Sequence, residues 1–217
     1  MEDNILESWK NKEIFDIQLK LNLKELNGNY PSHWVDFIQF IKIFKPNNML
    51  DIGCGCGAFS ELCTKEFPEL KYVGVDYAEE AIEIAKEQWE QGTFMVKDYK
   101  ELDEKFISEF DLVHMGALLD VLPNGDEALE YILSLSPKQL LIGRMRLTDS
   151  GSHNSQYLAY DKITTYAFNH NKENFIKLCE KYNYEMLNLN NNFYLKKTIN
   201  YVRKKIKHNT RNKQRYH

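Results

Sequence analysis

The chain predicts an α/β fold: a doubly wound, mostly parallel sheet with helices on both faces. Three observations lead there. Short apolar runs recur at residues 49–52, 72–75, 94–97, 110–116 and 139–143, with helix-length segments between them, as expected of strands buried on both faces. The first run breaks into three alternating glycines, Gly53, Gly55 and Gly57, and residues 58–67 then read as a helix. Asp51 stands just before the first glycine, and Asp76 ends the next run 25 residues further on, about the length of one strand–turn–helix–strand unit. At 217 residues, 43% hydrophobic and 28% charged, the chain suits one such domain with small additions.

Taken in order, residues 1–29 read as a helical N-terminal cap. Ile5, Leu6 and Trp9 suit a helical face, whereas Ile17, Leu19, Leu21 and Leu23 alternate as a strand would. Residues 28–31, Gly-Asn-Tyr-Pro, mark a turn. Ser32 would cap a helix with Trp34, Phe37, Ile38, Ile41 and Phe44 on one face. Residues 76–89 form the helix after the second strand, with Ala78, Ile82, Ala85 and Trp89 inward. The fourth strand, 110–116, is followed by a turn at 123–126 and a helix at 127–135. Arg144 and Arg146 follow the fifth strand. Residues 147–165 read as a long polar loop, of a length that is more often functional than idle. Asn171 caps an amphipathic helix carrying Phe175, Leu178, Cys179 and Tyr182. The runs 184–189 and 193–199, separated by asparagines, predict a closing antiparallel hairpin.

Composition narrows the partners. No apolar run approaches a membrane span and the acidic start lacks a signal-peptide pattern, so a cytoplasmic location with reduced thiols is expected. Residues 196–217 hold nine Lys or Arg and no acid, which leaves 19 basic against 32 acidic residues in the rest. Nucleic-acid contact is therefore expected only through this basic tail, 200–217. Cys54 and Cys56 lack further ligands nearby and read as small residues in a tight turn.

The glycine loop is the chemical centre. Its backbone can approach a ligand that a Cβ would block, and the following helix start offers free N–H groups and partial positive charge. Gly53-x-Gly55-x-x-Ala58 also satisfies the permissive dinucleotide fingerprint of nicotinamide enzymes. Against that reading, Asp51 precedes the loop, Gly57 extends the alternation, and about 160 residues after the loop leave little room for a separate substrate domain.

Asp51 through Gly57, then Asp76, then Asp98 at the end of the third run, in this order and spacing, resemble the class I S-adenosylmethionine-dependent methyltransferases over roughly residues 30–199. The resemblance implies a Rossmann-like seven-stranded sheet with one antiparallel strand, and S-adenosyl-L-methionine as cofactor. It implies that Asp51, Gly53, Cys54, Gly55 and Gly57 cradle that donor, with His114 at the end of the fourth strand. Asp76 would grip the ribose and Tyr77 flank the adenine. Asp98 would accept from the adenine amino group, with Tyr99 beside it. For Asp76 a second role stays open, because Asp76-x-x-Glu79 has the spacing of a capping box.

Transfer from a sulfonium is a single displacement in which the protein mainly aligns the partners. A hydroxyl or amine acceptor can also need a base. His114 is the first candidate, since an unperturbed imidazole titrates near neutrality; His153 and Asp120 come next. No tight His or carboxylate cluster suggests a metal, so a metal-independent reaction is expected. Tyr30, Trp34, Arg144, Tyr157 and Tyr160 are the candidate substrate contacts, the first two as lid residues. The polar loop suits a hydroxylated acceptor. Its residues 157–161, with 165–168, are similar to bacterial methyltransferases of saccharide or small-metabolite pathways, which makes a sugar or metabolite hydroxyl the leading acceptor. An RNA- or protein-directed enzyme using the basic tail is the alternative, followed by a non-catalytic donor-binding scaffold. Met115-Gly116-Ala117-Leu118 replaces the Asn/Asp-Pro-Pro-aromatic tetrapeptide of amino-methylating enzymes, which counts against methylation of a nucleic-acid base.

Overall fold

The computed structural model describes residues 7–198; the basic tail, Ile5 and Leu6 lie outside the described residues. Two helices lead, α1 (Lys12–Leu26) and α2 (Ser32–Phe44). Then β1 (Asn48–Ile52), α3 (Ala58–Glu66), β2 (Lys71–Asp76), α4 (Glu79–Gln88), β3 (Thr93–Val96), α5 (Glu104–Ser108), β4 (Leu112–Gly116), α6 (Gly125–Ser134) and β5 (Gln139–Gly143) alternate. Three further strands, β6 (Leu147–Thr148), β7 (His153–Ala159) and β8 (Ile163–Asn171), precede α7 (Lys172–Lys181) and the closing pair β9 (Tyr184–Leu189) and β10 (Asn192–Lys197).

The seven-stranded sheet runs β3–β2–β1–β4–β5–β10–β9. The pairings among β1 to β5 are parallel, and β10 is antiparallel to both β5 and β9. This is the expected doubly wound sheet with one antiparallel strand. The strand period of two divides its side chains between two cores. Leu50, Ile52, Val75, Val113, Met115, Leu140 and Ile142 pack under α5, α6 and α7. Met49, Tyr72, Leu112, Leu141 and Tyr194 pack under α2, α3 and α4. Asp51 and His114 fall on this second face, at positions where the pattern asks for apolar side chains. Among the described residues no helix is long and apolar enough to cross a membrane.

Three expectations need correction, and the ambiguity at 17–23 resolves in favour of the helical reading. Residues 147–165 are not a loop: β7 and β8 form an antiparallel ribbon, with β6 parallel to β8. The strand pattern was hidden because β7 is exposed along nearly its whole length while β8 supplies the buried Ile163, Tyr166, Phe168 and His170. The ribbon turns through Tyr160 and Asp161, both left-handed with φ of 53° and 54°, so no glycine announces it. The alternation at 17–23 lies within α1, whose Lys, Leu, Gln and Glu content favours helix. α4 starts at Glu79 with Ala78 at the capping position, so the Asp76 capping box does not form. Ser32 is the first helical residue after Pro31 and makes no side-chain cap.

Leu129 of α6 has no solvent exposure and sits in the core under the sheet. Leu129→Ala is expected to lose about 2–5 kcal/mol of unfolding free energy through lost burial and the cavity left behind. Denaturant titration with unchanged m-value checks this; a loss below about 1 kcal/mol would mean that this layer refills freely.

Candidate active site

Register places the first polar pair. β1 and β4 are parallel neighbours in which Asp51 lies beside His114, and both side chains are almost fully buried. Asp51 Oδ1 meets His114 Nδ1 at 2.8 Å, while Tyr72 Oη donates to Asp51 Oδ2 at 2.6 Å. Burial, and next the Asp51 charge, hold the Tyr72 phenol well above its ordinary range, so it stays a donor. An ionised carboxylate only accepts. Nδ1 is therefore the nitrogen engaged by Asp51, and Nε2 is the ring nitrogen left on the side of Gly116 and Gly143. The imidazole is clasped edge-on by Phe37 and Phe59, with ring centroids 5.1 and 4.5 Å away.

The glycine loop lies directly above. All three glycines have positive φ. A Cβ on Gly55 would stand 2.7 Å from Gln18 Oε1, and one on Gly57 would strike the Phe94 and Trp89 rings. Gly55 thus faces the site, and Gly57 packs the loop onto the domain. Trp89 Nε1 donates to the Cys56 carbonyl at 2.7 Å. Asp76 ties the loop to the next strand, accepting from Gly55 N at 2.9 Å and Ala78 N at 3.0 Å. Burial still raises its carboxyl above the usual range, against the pull of those N–H groups. Burial likewise raises Cys54 and pushes Cys56 up to about 12, so both are neutral thiols.

Two cavities share Gly53, Asp76, Tyr77, Leu118 and Leu122. The smaller, of about 400 Å³, also takes Asp98 and Tyr99 into its wall. Asp98 caps a 3-10 turn there, with Glu101 completing a capping box. The larger, of about 480 Å³, extends over Asp51, His114 and the carboxyl ends of β4 and β5. It brings together most of the residues expected from the sequence: Cys54 and Gly55 on the loop side, and Trp34, Asp120, Arg144, Tyr157 and Tyr160 on the far side.

Two residues stand apart. His153 is exposed at the start of β7 and pairs with the Gly151 carbonyl, because the ribbon meets the cavity at its other end. Tyr30 packs on Trp34 and donates to Glu66, one layer behind the wall.

Sequence reasoning missed the roof. Gln18 Oε1, from α1, accepts from Cys56 N at 3.3 Å, and Cys56 Sγ donates to the Phe15 carbonyl. The ribbon clasps the same segment: Trp9 Nε1 donates to Thr165 Oγ1 at 2.9 Å, and Lys162 pairs with Glu13 at 2.7 Å. Trp9 also meets Tyr160 edge-on. Nothing in the sequence marks Gln18 or Trp9, whose roles come from packing alone. His33 was missed too. Burial first, and next the nearby Arg144 charge, lower it to about 4, against a pull from Asp36.

His33 carries a pH signature. Its proton is bound more weakly in the folded chain than at the ordinary value of 6.5. Its contribution to stability therefore falls as pH drops from about 6.5 towards 4. The difference between the parent and His33→Gln isolates this group from the buried carboxylates. The variant is expected to show a shallower rise of unfolding free energy with pH across that window, by denaturant titration. Identical slopes would contradict the burial of a neutral imidazole here.

Residues 26–189 match the methyltransferase domain family. The trans-aconitate 2-methyltransferase of Yersinia pseudotuberculosis is 28% identical over 111 residues, 51% of this chain and 42% of that protein. The match thus spans less than half the length of that curated relative. A solved S-adenosylmethionine-dependent methyltransferase of Methanosarcina mazei superposes with a TM-score of 0.57 at 18% identity, covering 74% of this chain and 97% of that one. The sugar N-methyltransferase KedS8 of Streptoalloteichus superposes with a TM-score of 0.59 at 11% identity, covering 83% and 93%. At such identities the structures speak for the fold. The family match covers most of the chain, and with the glycine loop, strand order and cavities it leads to one conclusion: the chain belongs to the methyltransferase domain family and has the class I, S-adenosylmethionine-dependent architecture.

Proposed function

We propose that the chain transfers a methyl group from S-adenosylmethionine to a hydroxyl of a small polar acceptor, a sugar or another metabolite. The observation that carries this reading is the buried Asp51–His114 pair, set between the glycine loop and the larger cavity. S-adenosylmethionine supplies, when bound, a methyl group already activated on a sulfonium. The residues present fit such a group. Gly53 and Gly55 leave the space a Cβ would fill, and Asp76 and Tyr77 stand where the two cavities share a wall. Gly53, Gly55, Asp76 and Tyr77 would hold it, with Asp98 and Tyr99 in the smaller cavity.

The chain's own contribution is alignment, exclusion of water and removal of a proton. Asp51 positions the imidazole. His114 Nε2 lies on the side of Gly116 and Gly143 and would take the acceptor's hydroxyl proton. α1 and the ribbon roof the cavity. The relative named for trans-aconitate is named for a small organic acid, which supports a small-molecule acceptor.

A second reading, an RNA-directed enzyme, has one observation in its favour: the nine basic residues of 196–217. Polyanion binding that falls steeply with salt and disappears on deleting residues 200–217 would select it.

Isothermal calorimetry is expected to find S-adenosylmethionine binding that Asp76→Ala weakens at least tenfold, about 1.4 kcal/mol, with nicotinamide dinucleotides inert. A folded chain that ignores the donor would falsify the proposal. Once an acceptor is in hand, His114→Gln should lower kcat by about 10²–10⁴-fold while donor affinity stays within a few-fold. An unchanged kcat would leave alignment alone as the catalytic device.

A further inference from the structure

Among the charged side chains of the larger cavity that neither the donor cradle nor the proton path uses are Asp120 and Arg144. Asp120 is 2% exposed, and its Oδ1 has no hydrogen-bond partner among the described residues. Its Oδ2 lies 3.9 Å from Arg146 Nε, beyond hydrogen-bond distance, and burial raises its carboxyl against the downward pull of the Arg144 and Arg146 charges. Native proteins rarely leave a buried carboxylate oxygen unmatched, and such an atom on a cavity wall awaits a donor from a ligand.

Arg144 is the second. It lines the same cavity, and among the described residues its guanidinium makes no hydrogen bond or ion pair. Its backbone is built for a purpose beyond chain continuity. It stands in the left-handed region with φ of 61°, as Ala117 does at the end of the adjacent strand with φ of 60°. Such conformations disfavour side chains other than glycine's and persist where surrounding structure enforces them, often at functional edges. Here the enforcement is visible. Arg144 N donates to Asn192 Oδ1 at 3.0 Å, and Asn192 Nδ2 donates to Asp36 Oδ2 at 2.7 Å. Asn190 donates to the same carboxylate oxygen at 3.0 Å. A buried amide–carboxylate bracket thus fixes the base of an arginine whose head is unpaired. Glu25, the anion that α1 contributes to this cavity, forms no ion pair with it among the described residues.

We infer that the acceptor is a small hydroxy acid or hydroxyl-bearing amino acid, its carboxylate held by Arg144 and a hydroxyl or ammonium donor held by Asp120 Oδ1. The inference rests on the methyl-donor reading and sharpens it. A guanidinium matches a carboxylate in a bidentate fork. An unmatched carboxylate oxygen beside it selects a ligand that also donates. Trp34, Phe59, Tyr157 and Tyr160 bound the space and keep the ligand small. A neutral sugar would satisfy Asp120 and leave Arg144 idle.

The test uses the full chain saturated with S-adenosylhomocysteine. Calorimetry and thermal shift are read against a panel of amino acids, hydroxy acids, carboxylic acids without a second donor, and neutral sugars. Binding confined to acids that also carry a hydroxyl or ammonium group is expected. Arg144→Gln should weaken it at least tenfold. Asp120→Asn, nearly isosteric, should weaken the hydroxy and amino acids while leaving the donor-free acids unchanged. Neutral sugars binding as well as the acids, or no response to any acid, would overturn the inference and leave the methyl-donor reading intact. Failure of S-adenosylmethionine itself to bind the folded chain would remove both. Asp120→Asn can be destabilising, so Arg144→Gln, at an exposed position, serves as the independent variant.

Discussion

The hydrogen bond between Asp51 and His114 is the constraint around which the rest is arranged. Both side chains lie on a sheet face that is otherwise apolar, and neither reaches bulk water. A buried carboxylate without a partner is strongly destabilising, so each residue depends on the other and both depend on the strand register that sets them side by side. Tyr72 completes the carboxylate from the neighbouring strand. Gly74 lies beside Asp51 in the register, and a Cβ there would crowd Cys54 Sγ at 2.8 Å. The same network that satisfies the core also orients an imidazole toward the cavity. Stability and chemistry draw on one set of contacts.

Above that floor, the site is closed by segments far apart in the chain. α1 lays Gln18 on the glycine loop, and the β7–β8 ribbon holds α1 in place through Trp9, Glu13 and Tyr160. Neither piece belongs to the alternating strand–helix core. The core fixes the loop and the strand ends, and the two additions enclose the space over them. That division accords with the general behaviour of open α/β sheets, which bind ligands beyond the carboxyl ends of their strands and vary in what covers them.

The division also explains what the sequence made legible. The doubly wound sheet could be read because buried parallel strands show as apolar runs. The loop could be read because three glycines in alternation have few other uses. Asp76 could be placed because it ends β2, and Asp98 because it follows β3 by two residues. The ribbon could not, because β7 buries only Ala159 and so shows no strand alternation, and its turn uses Tyr160 and Asp161 where a glycine or asparagine would have given warning. His114 was legible as a strand-end histidine, but its partnership with Asp51 is a fact of register. His153 looked equally suitable by residue type and lies outside the cavity.

The acceptor side resists sequence reading for a further physical reason. The glycine loop is largely a matter of backbone: positive φ and absent Cβ atoms, all encoded within a few residues. The far wall of the larger cavity is made of side chains from the end of β4, the end of β5, α2 and the ribbon, drawn from distant parts of the chain. Asp120 Oδ1 has no hydrogen-bond partner among the described residues, and such a gap leaves no periodicity or spacing in a sequence. The bracket from Asp36 through Asn192 to Arg144 makes the same point. Asp36 lies on a helix face otherwise buried and apolar, where a carboxylate is unfavourable unless it holds something in place. What it holds is the asparagine that sets the bend at Arg144, so a polar residue in the core of α2 supports the charge at the mouth of the cavity.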